Sequence, residues 1–305
     1  MKFNYNGISQ FSSIRNTASS STLDRLGFKS EGTNLNLRYQ NNTIIADSLF
    51  GIKYNLSNFD LNKYGFNHVT SEKTMGLYQN NNASQLAILT DGIYKNIDFT
   101  VNTLDNQTSL LNALSGLNLT YFKRAPSQLF DQDAKSLNQR VAKNVSNSNK
   151  DFVTITYRVI APPHSQLYVS VPNISWSDDN NHSLSITVNG VTRNQVTDNT
   201  FDFFDLGYFE TESMVTIKLS FPGNKAISFD NPSFYALDTH NYQIAMDTIN
   251  ERDSKVTTSN NKVFVDYSSK TNASLFFTIP YDKGWTATIN HKKVKIQRAK
   301  GVHES

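Results

Sequence analysis

The sequence predicts an α+β fold that is mostly β, with an N-terminal α+β domain followed by β-sandwich (jelly-roll-like) domains. Three observations predict it. Beyond residue 150, short runs alternate apolar and polar residues with period two and are separated by turn residues, the pattern of a sandwich. Before residue 145 the period is mixed, with alternating runs beside one well-marked helix. The composition, 20 Phe and 14 Tyr among 305 residues with 38% hydrophobic, supplies the apolar area that offsets chain entropy, and the length allows two or three cores.

Taken in order, Leu23 and Leu26 with Gly27 behind them predict a short helix with a glycine stop. Leu35-Asn36-Leu37-Arg38-Tyr39 alternates as a strand, as do Gly76-Leu77-Tyr78 and Leu86-Ala87-Ile88-Leu89, with an Asn80-Asn81-Asn82 turn between the last two. Asn106 is placed as the cap of a helix from Thr108 to Ser115, whose stripe is Leu110, Leu111 and Leu114 and which Gly116 ends. The polar stretch 144–150 reads as a linker. Residues 152–159 and 166–171 alternate on either side of Pro162-Pro163. Leu184 to Val188 and Val191-Thr192 flank Asn189-Gly190, the preferred pair for a type I′ turn. Met214 to Phe221 forms a strand closed by Pro222-Gly223, and residues 239 to about 252 form a connecting helix. Strands follow at 262–267, 274–280, 285–289 and around Lys293. Thr288-Ile289-Asn290-His291 is like Thr187-Val188-Asn189-Gly190, so two hairpins are expected to share a geometry. These readings divide the chain into an α+β domain at 1–145, a β-sandwich domain at 151–237, and a connecting helix with a second, truncated β domain at 238–305.

Charge and residue types exclude several functions. A formal charge of +3 from 29 basic and 26 acidic residues gives no strong field, and the one basic cluster, Lys292 to Lys300, alternates with Val294 and Ile296 as the wet face of a strand. No nucleic-acid partner is expected. The absence of cysteine removes disulfides, Cys-zinc sites and thiol nucleophiles together. No run approaches the ~18–20 apolar residues of a membrane span, and the chain as given reads as soluble. The histidines are scattered with no i, i+4 pair, and neither a Gly-rich phosphate loop nor a Gly-x-Ser-x-Gly elbow is present, so no metal, no cofactor and no nucleophilic machinery is expected. Asp131 with Asp133, Asp178 with Asp179, and Asp202 with Asp205 are local carboxylate pairs of the kind glycoside hydrolysis uses, but spacing selects none of them. Asp178-Asp179-Asn180-Asn181 reads as a solvated turn rather than a Ca²⁺ loop. Trp176 and Trp285 are candidate sugar-stacking platforms, with burial in a sandwich as the alternative.

Phe11-Ser12-Ser13-Ile14-Arg15-Asn16, then Leu26-Gly27, then Ala46-Asp47-Ser48-Leu49-Phe50-Gly51-Ile52-Lys53-Tyr54, resembles the post-membrane region of the bacterial YfhO family of multi-spanning membrane proteins. Gly76-Leu77-Tyr78-Gln79-Asn80, Asn106 to Asn112 and Ile279-Pro280-Tyr281-Asp282-Lys283-Gly284-Trp285 resemble further phrases of that family in the same order. The resemblance implies the extracellular C-terminal region of a polytopic protein, working beside membrane helices that lie outside this chain. It implies a parent of the GT-C type, a glycosyltransferase moving sugar from an undecaprenyl-phosphate carrier to teichoic acid at the outer face of a Gram-positive cell membrane. The catalytic carboxylate would lie between early membrane helices, so no catalytic residue is expected here and the fragment alone is not expected to be an enzyme. On that reading Ser13, Arg15, Asn16, Asp47 and Lys53 line a face turned to the membrane, where Arg15 or Lys53 pairs with a phosphate of lipid donor or polymer acceptor. An independent carbohydrate or cell-wall-binding module and a purely structural interaction domain are the alternatives. The sequence departs from the family pattern in the Ser-rich stretch 17–22 and at His291, where a glycine suits the turn better.

Overall fold

The computed structural model describes residues 10–11, 22–31, 36–38, 43–91, 97–132, 137–138, 141–142, 152–176, 182–197, 203–222, 227–252, 254–259, 261–269 and 273–297. The fold is α+β and mostly β. A five-stranded sheet runs in the order Val191–Thr197, His182–Val188, Ser213–Pro222, Phe152–Ala161, Ser127–Gln132. It faces a four-stranded sheet ordered Phe203–Phe209, Ser165–Ser170, Ser233–Asp238, Phe122–Arg124. All pairings in both sheets are antiparallel.

The period-two pattern does what it predicts. Ile155, Tyr157 and Val159 point inward beside Val215, Ile217 and Leu219 of the paired strand, and meet Leu167, Val169, Phe204 and Phe234 from the facing sheet. Thr154, Thr156 and Arg158 alternate with them and turn outward.

A second core covers the other face of the four-stranded sheet. Tyr168 and Leu237 on that face join Ile44, Ile45 and Leu49 of α1 (Ile44–Leu49), Leu110, Leu111 and Leu114 of α2 (Thr103–Ser115), and Tyr242, Ala245 and Met246 of α3 (Thr239–Asn250). The sandwich therefore carries a helical layer on one side. Against that layer stands a small sheet ordered Tyr54–Ser57, Met75–Asn80, Phe66–Glu72, which sends Phe66 and Tyr78 into the same core.

The sheets cross both boundaries expected from the sequence. Phe122–Arg124 and Ser127–Gln132 precede residue 145 yet pair into the sandwich, and Ser274–Phe277 pairs with Ala87–Thr90. The linker expected at 144–150 lies outside the described residues. Helix α2 also starts earlier than its stripe suggests. Asn102 is its cap, accepting from the N–H groups of Leu104 and Asp105 at 3.1 and 3.3 Å. Asn106, expected as the cap, sits inside the helix and ties the preceding loop, accepting from Thr100 N–H at 2.7 Å and donating to the carbonyls of Arg25 and Thr100 at 2.9 Å. Gly116 closes the helix in the left-handed region as expected.

The two similar turns do share a geometry. Asn189 and Gly190 have φ of 47° and 90°, and Asn290 and His291 have φ of 49° and 66°. A left-handed histidine costs about 1–2 kcal/mol that a glycine avoids, less about 0.5–1 kcal/mol for glycine's greater loss of freedom. His291→Gly should therefore slow amide hydrogen exchange in the Ala287–Ile289 and Lys292–Val294 strands, and faster exchange would contradict this assignment.

Candidate functional site

Helix α1 has six residues, and all are buried. Ile44, Ile45 and Leu49 drive it into the second core, which takes Asp47 and Ser48 inside with them. Buried polar groups need partners, and these come from five directions. The ammonium of Lys63, a residue only 9% exposed, hydrogen-bonds Asp47 Oδ2 and lies 5.0 Å from the Phe66 ring centroid. The Ser48 hydroxyl is 2.6 Å from the Tyr242 hydroxyl of α3 and accepts from Asn80 Nδ2 at 3.1 Å. The Ile44 N–H donates to the Tyr168 hydroxyl of the four-stranded sheet at 3.1 Å. Thr43 caps the helix by accepting from Ala46 N–H at 3.2 Å, and its hydroxyl also bonds Gln107 of α2.

A second carboxylate, Asp205, stands on the sandwich side of this cluster. Gln166 Nε2 donates to its two oxygens at 2.8 and 3.0 Å, and the Gly207 N–H donates to Oδ1 at 2.8 Å. The Oε1 of Gln166 accepts from Tyr64 N–H at 2.9 Å, fastening the loop that carries Lys63 to the sheet. Gly207 has φ of 110° at the point where the strand register shifts, a conformation that suits glycine. Burial raises the Asp47 carboxyl, Lys63 pulls it back, and the charge of Asp205 pushes it up again, leaving it at about 6. Burial also raises Asp205, against the pull of Lys63 and the hydrogen bond from Gly207. Among the described residues, Asp47 Oδ1 has no hydrogen-bond partner.

The end of α1 shapes an open cleft of about 460 Å³ lined by Gly51, Lys53, Gln79, Asn80, Asn81, Ala83, Ser84 and Gln85. The Ser48 carbonyl accepts from Gly51 N–H at 3.1 Å and from Ser84 N–H at 2.8 Å. Gly51, at φ 65°, lies so close to the 84 backbone that an added Cβ would sit 2.9 Å from the Ser84 carbonyl oxygen. Lys53 is exposed at the cleft, 5.8 Å from the Tyr54 ring centroid, and its carbonyl accepts from Asn80 N–H at 2.8 Å.

Of the residues singled out in the sequence, Ser13, Arg15 and Asn16 lie outside the described residues. Asp47 does not line an exposed face. It is fully buried, because the apolar residues flanking it take the whole helix into the core and Lys63 neutralises it there. Lys53 is exposed, within the cleft. Trp176 belongs to the strand Ser175–Trp176, paired with Ile227–Ser228. Trp285 is 38% exposed after a turn in which its N–H donates to the Asp282 carbonyl at 3.1 Å. Asp131 is exposed on an edge strand and the half-buried Asp205 joins the cluster around Asp47, whereas Asp133, Asp178, Asp179 and Asp202 lie outside the described residues. Sequence reasoning gave no role to Lys63, Gln166, Gln79 and Ser84: Lys63 and Ser84 sit in loops that no periodic pattern marks, and Gln166 and Gln79 lie in strands whose alternation does not single out a polar residue.

The family described as bacterial membrane protein YfhO matches residues 1–302. The chain belongs to the YfhO family. Among the described residues, no helix of this YfhO-family chain is long and apolar enough to cross a membrane. No curated protein matches it in sequence. Similar solved structures include a family two carbohydrate esterase from Cellvibrio japonicus, at 10% identity over 37% of this chain and 33% of that one, with a TM-score of 0.21. An acetyl xylan esterase from the rumen bacterium Butyrivibrio proteoclasticus matches at 11% identity over 38% and 32%, with a TM-score of 0.22. A ruminal GH26 endo-β-1,4-mannanase matches at 16% identity over 38% and 26%, also with a TM-score of 0.22. The likeness spans about a third or less of those chains and is too slight to bear on function.

The buried carboxylate has a measurable consequence. Asp47 titrates near 6 in the folded chain and near 3.8 unfolded, so its contribution to stability is fully present below the unfolded value and is lost as pH rises through 6. The shift corresponds to on the order of 3 kcal/mol. Urea denaturation between pH 4 and 7.5 is expected to give a flatter stability profile for Asp47→Asn than for the wild type. An identical profile would show that Asp47 does not carry this pH dependence.

Proposed function

We propose that this chain is the extracellular region of a lipid-linked sugar transferase of the GT-C type, and that it holds a cell-wall polymer acceptor such as teichoic acid beside the membrane helices of its parent. Chemistry on the undecaprenyl-phosphate sugar belongs to those helices, and this region positions the acceptor. The observation that carries the reading is the YfhO family match over residues 1–302. The outward face of the five-stranded sheet supports it. Cross-strand register sets Thr187, Lys218, Thr156 and Asp131 in one row, and Thr216, Arg158 and Gln128 in another, a surface of hydroxyls, an amide, two cations and one carboxylate suited to a hydrated, hydrogen-bonding chain.

One observation favours a second reading, in which the sandwich binds glycan independently of any membrane part. On the same face, the Arg158 guanidinium stacks 3.7 Å from the centroid of Phe130, a ring that is 55% exposed. An exposed aromatic ring among hydroxyls is the kind of surface on which a sugar ring packs.

Titration of the purified chain with lipoteichoic acid, with and without its sugar substituents and at two salt concentrations, tests the proposal. Saturable binding that responds to the substituents and persists at the higher salt is expected. Binding that vanishes with salt would reduce it to polyanion attraction and contradict acceptor holding. Phe130→Ala separates the readings, because the glycan-module reading expects it to abolish binding of a neutral oligosaccharide.

A further inference from the structure

Asp47 and Lys63 meet in a setting that suits a reaction as well as an ion pair. Their side chains are 0% and 7% exposed and in direct contact, amine against carboxyl oxygen. Each is fixed independently of the other. Asp47 is carried by α1, which is buried on every side, and the loop bearing Lys63 is tied to the sandwich through Tyr64 N–H and Gln166. Ile44, Ile45, Phe66 and Tyr242 belong to the core that encloses the pair. Asp47 Oδ1 has no hydrogen-bond partner among the described residues, so half of the carboxylate is poorly solvated. A buried pair in this state is costly, and turning it into one neutral group removes the desolvation penalty of both charges. Asp205 adds a second carboxylate. It is half-buried, held by Gln166 Nε2 and the Gly207 N–H, and its charge acts on Asp47 while the charge of Lys63 acts on it.

We infer that Lys63 Nζ and Asp47 Cγ condense to an intramolecular amide, a covalent cross-link between α1 and the loop after the Tyr54–Ser57 strand, with Asp205 as the proton carrier. Within the pair, the Lys63 ammonium gives a proton to the Asp47 carboxylate, leaving an amine and a carboxylic acid, an exchange that burial favours because both charges disappear. The amine lone pair then forms the Nζ–Cγ bond. The surplus proton on nitrogen passes to the Asp205 carboxylate and returns to the departing Asp47 hydroxyl as the Cγ–O bond breaks. One water leaves, Asp205 ends as it began, and nothing is oxidised or reduced. Fixed geometry takes the place of an activating reagent, since groups held in a reactive contact behave as if at about 10⁵–10⁸ M. Exclusion of water from the core opposes the reverse hydrolysis. The ion pair is the reactant of this step, and the titration of Asp47 near 6 belongs to the unlinked chain.

The intact mass of the purified 305-residue chain tests the inference. Kept folded at neutral pH until its mass is constant, the wild type is expected to be lighter than its sequence by one water. Trypsin should no longer cut after Lys63, and tandem mass spectrometry should find a branched peptide joining residues 47 and 63. Asp47→Asn is expected to reach the same branched product by losing ammonia instead of water, an exchange that a purely structural role for Asp47 does not produce. Lys63→Arg keeps the charge without a nucleophilic amine and is expected to keep its full mass. Asp205→Asn is expected to lower the linked fraction at least tenfold, and a fraction equal to that of the wild type overturns the proton-carrier role. A wild-type chain of full mass overturns the inference, and this readout requires no variant to fold. So does a loss of water found only in a linear peptide, as a cyclic imide at the Asp47-Ser48 bond gives, or one that persists in Lys63→Arg.

Discussion

The helical layer of this protein depends on how a carboxylate is kept inside it. Helix α1 is too short to be stable by propensity, and its burial on every side is what holds it. That burial includes Asp47, whose charge is tolerated only because Lys63 reaches it from the following loop. The loop is fastened in turn by Gln166, which bridges the Tyr64 backbone to Asp205 on the sandwich. One ion pair and one amide thus join a helix, a loop and a sheet that are far apart in sequence.

What is built on that junction is the cleft. The Ser48 carbonyl at the end of α1 holds the backbones of Gly51 and Ser84, and Asn80 bridges the Ser48 hydroxyl to the Ile52 carbonyl. Lys53 follows directly on this scaffold. The chain therefore places the exposed Lys53 on a footing that is fastened to the buried helix.

The sandwich was legible in the sequence where one physical pattern acts alone. The strands Phe152–Ala161 and Ser213–Pro222 alternate cleanly because one face is packed and the other wet, and Asn189-Gly190 marks its turn because both positions need positive φ. Even His291 was legible as a strained substitute for glycine. The pairing of Phe122–Arg124 and Ser127–Gln132 into the sandwich was not, since edge strands this short carry no period and their partners lie far along the chain. The candidate site was legible only in part. Lys53 was marked by the family phrase around it, but the same phrase made Asp47 look like an exposed ligand. The apolar residues Ile44, Ile45 and Leu49 at helical spacing were the signal of its burial, and nothing in the sequence ties it to Lys63. Gln79 and Ser84 reach the cleft through the small sheet and its following turn, a consequence of tertiary pairing that local pattern does not encode.

A double-mutant comparison at Asp47 and Lys63 tests the central claim most directly, read as unfolding free energy at pH 7. Lys63→Met leaves a buried carboxylate without its cation and is predicted to cost about 3–5 kcal/mol. Asp47→Leu combined with Lys63→Met removes both charges and is predicted to recover most of that loss. A Lys63→Met variant as stable as the wild type, or a double variant no more stable than Lys63→Met, would contradict the view that the buried carboxylate of the helical layer is tolerated only because Lys63 reaches it.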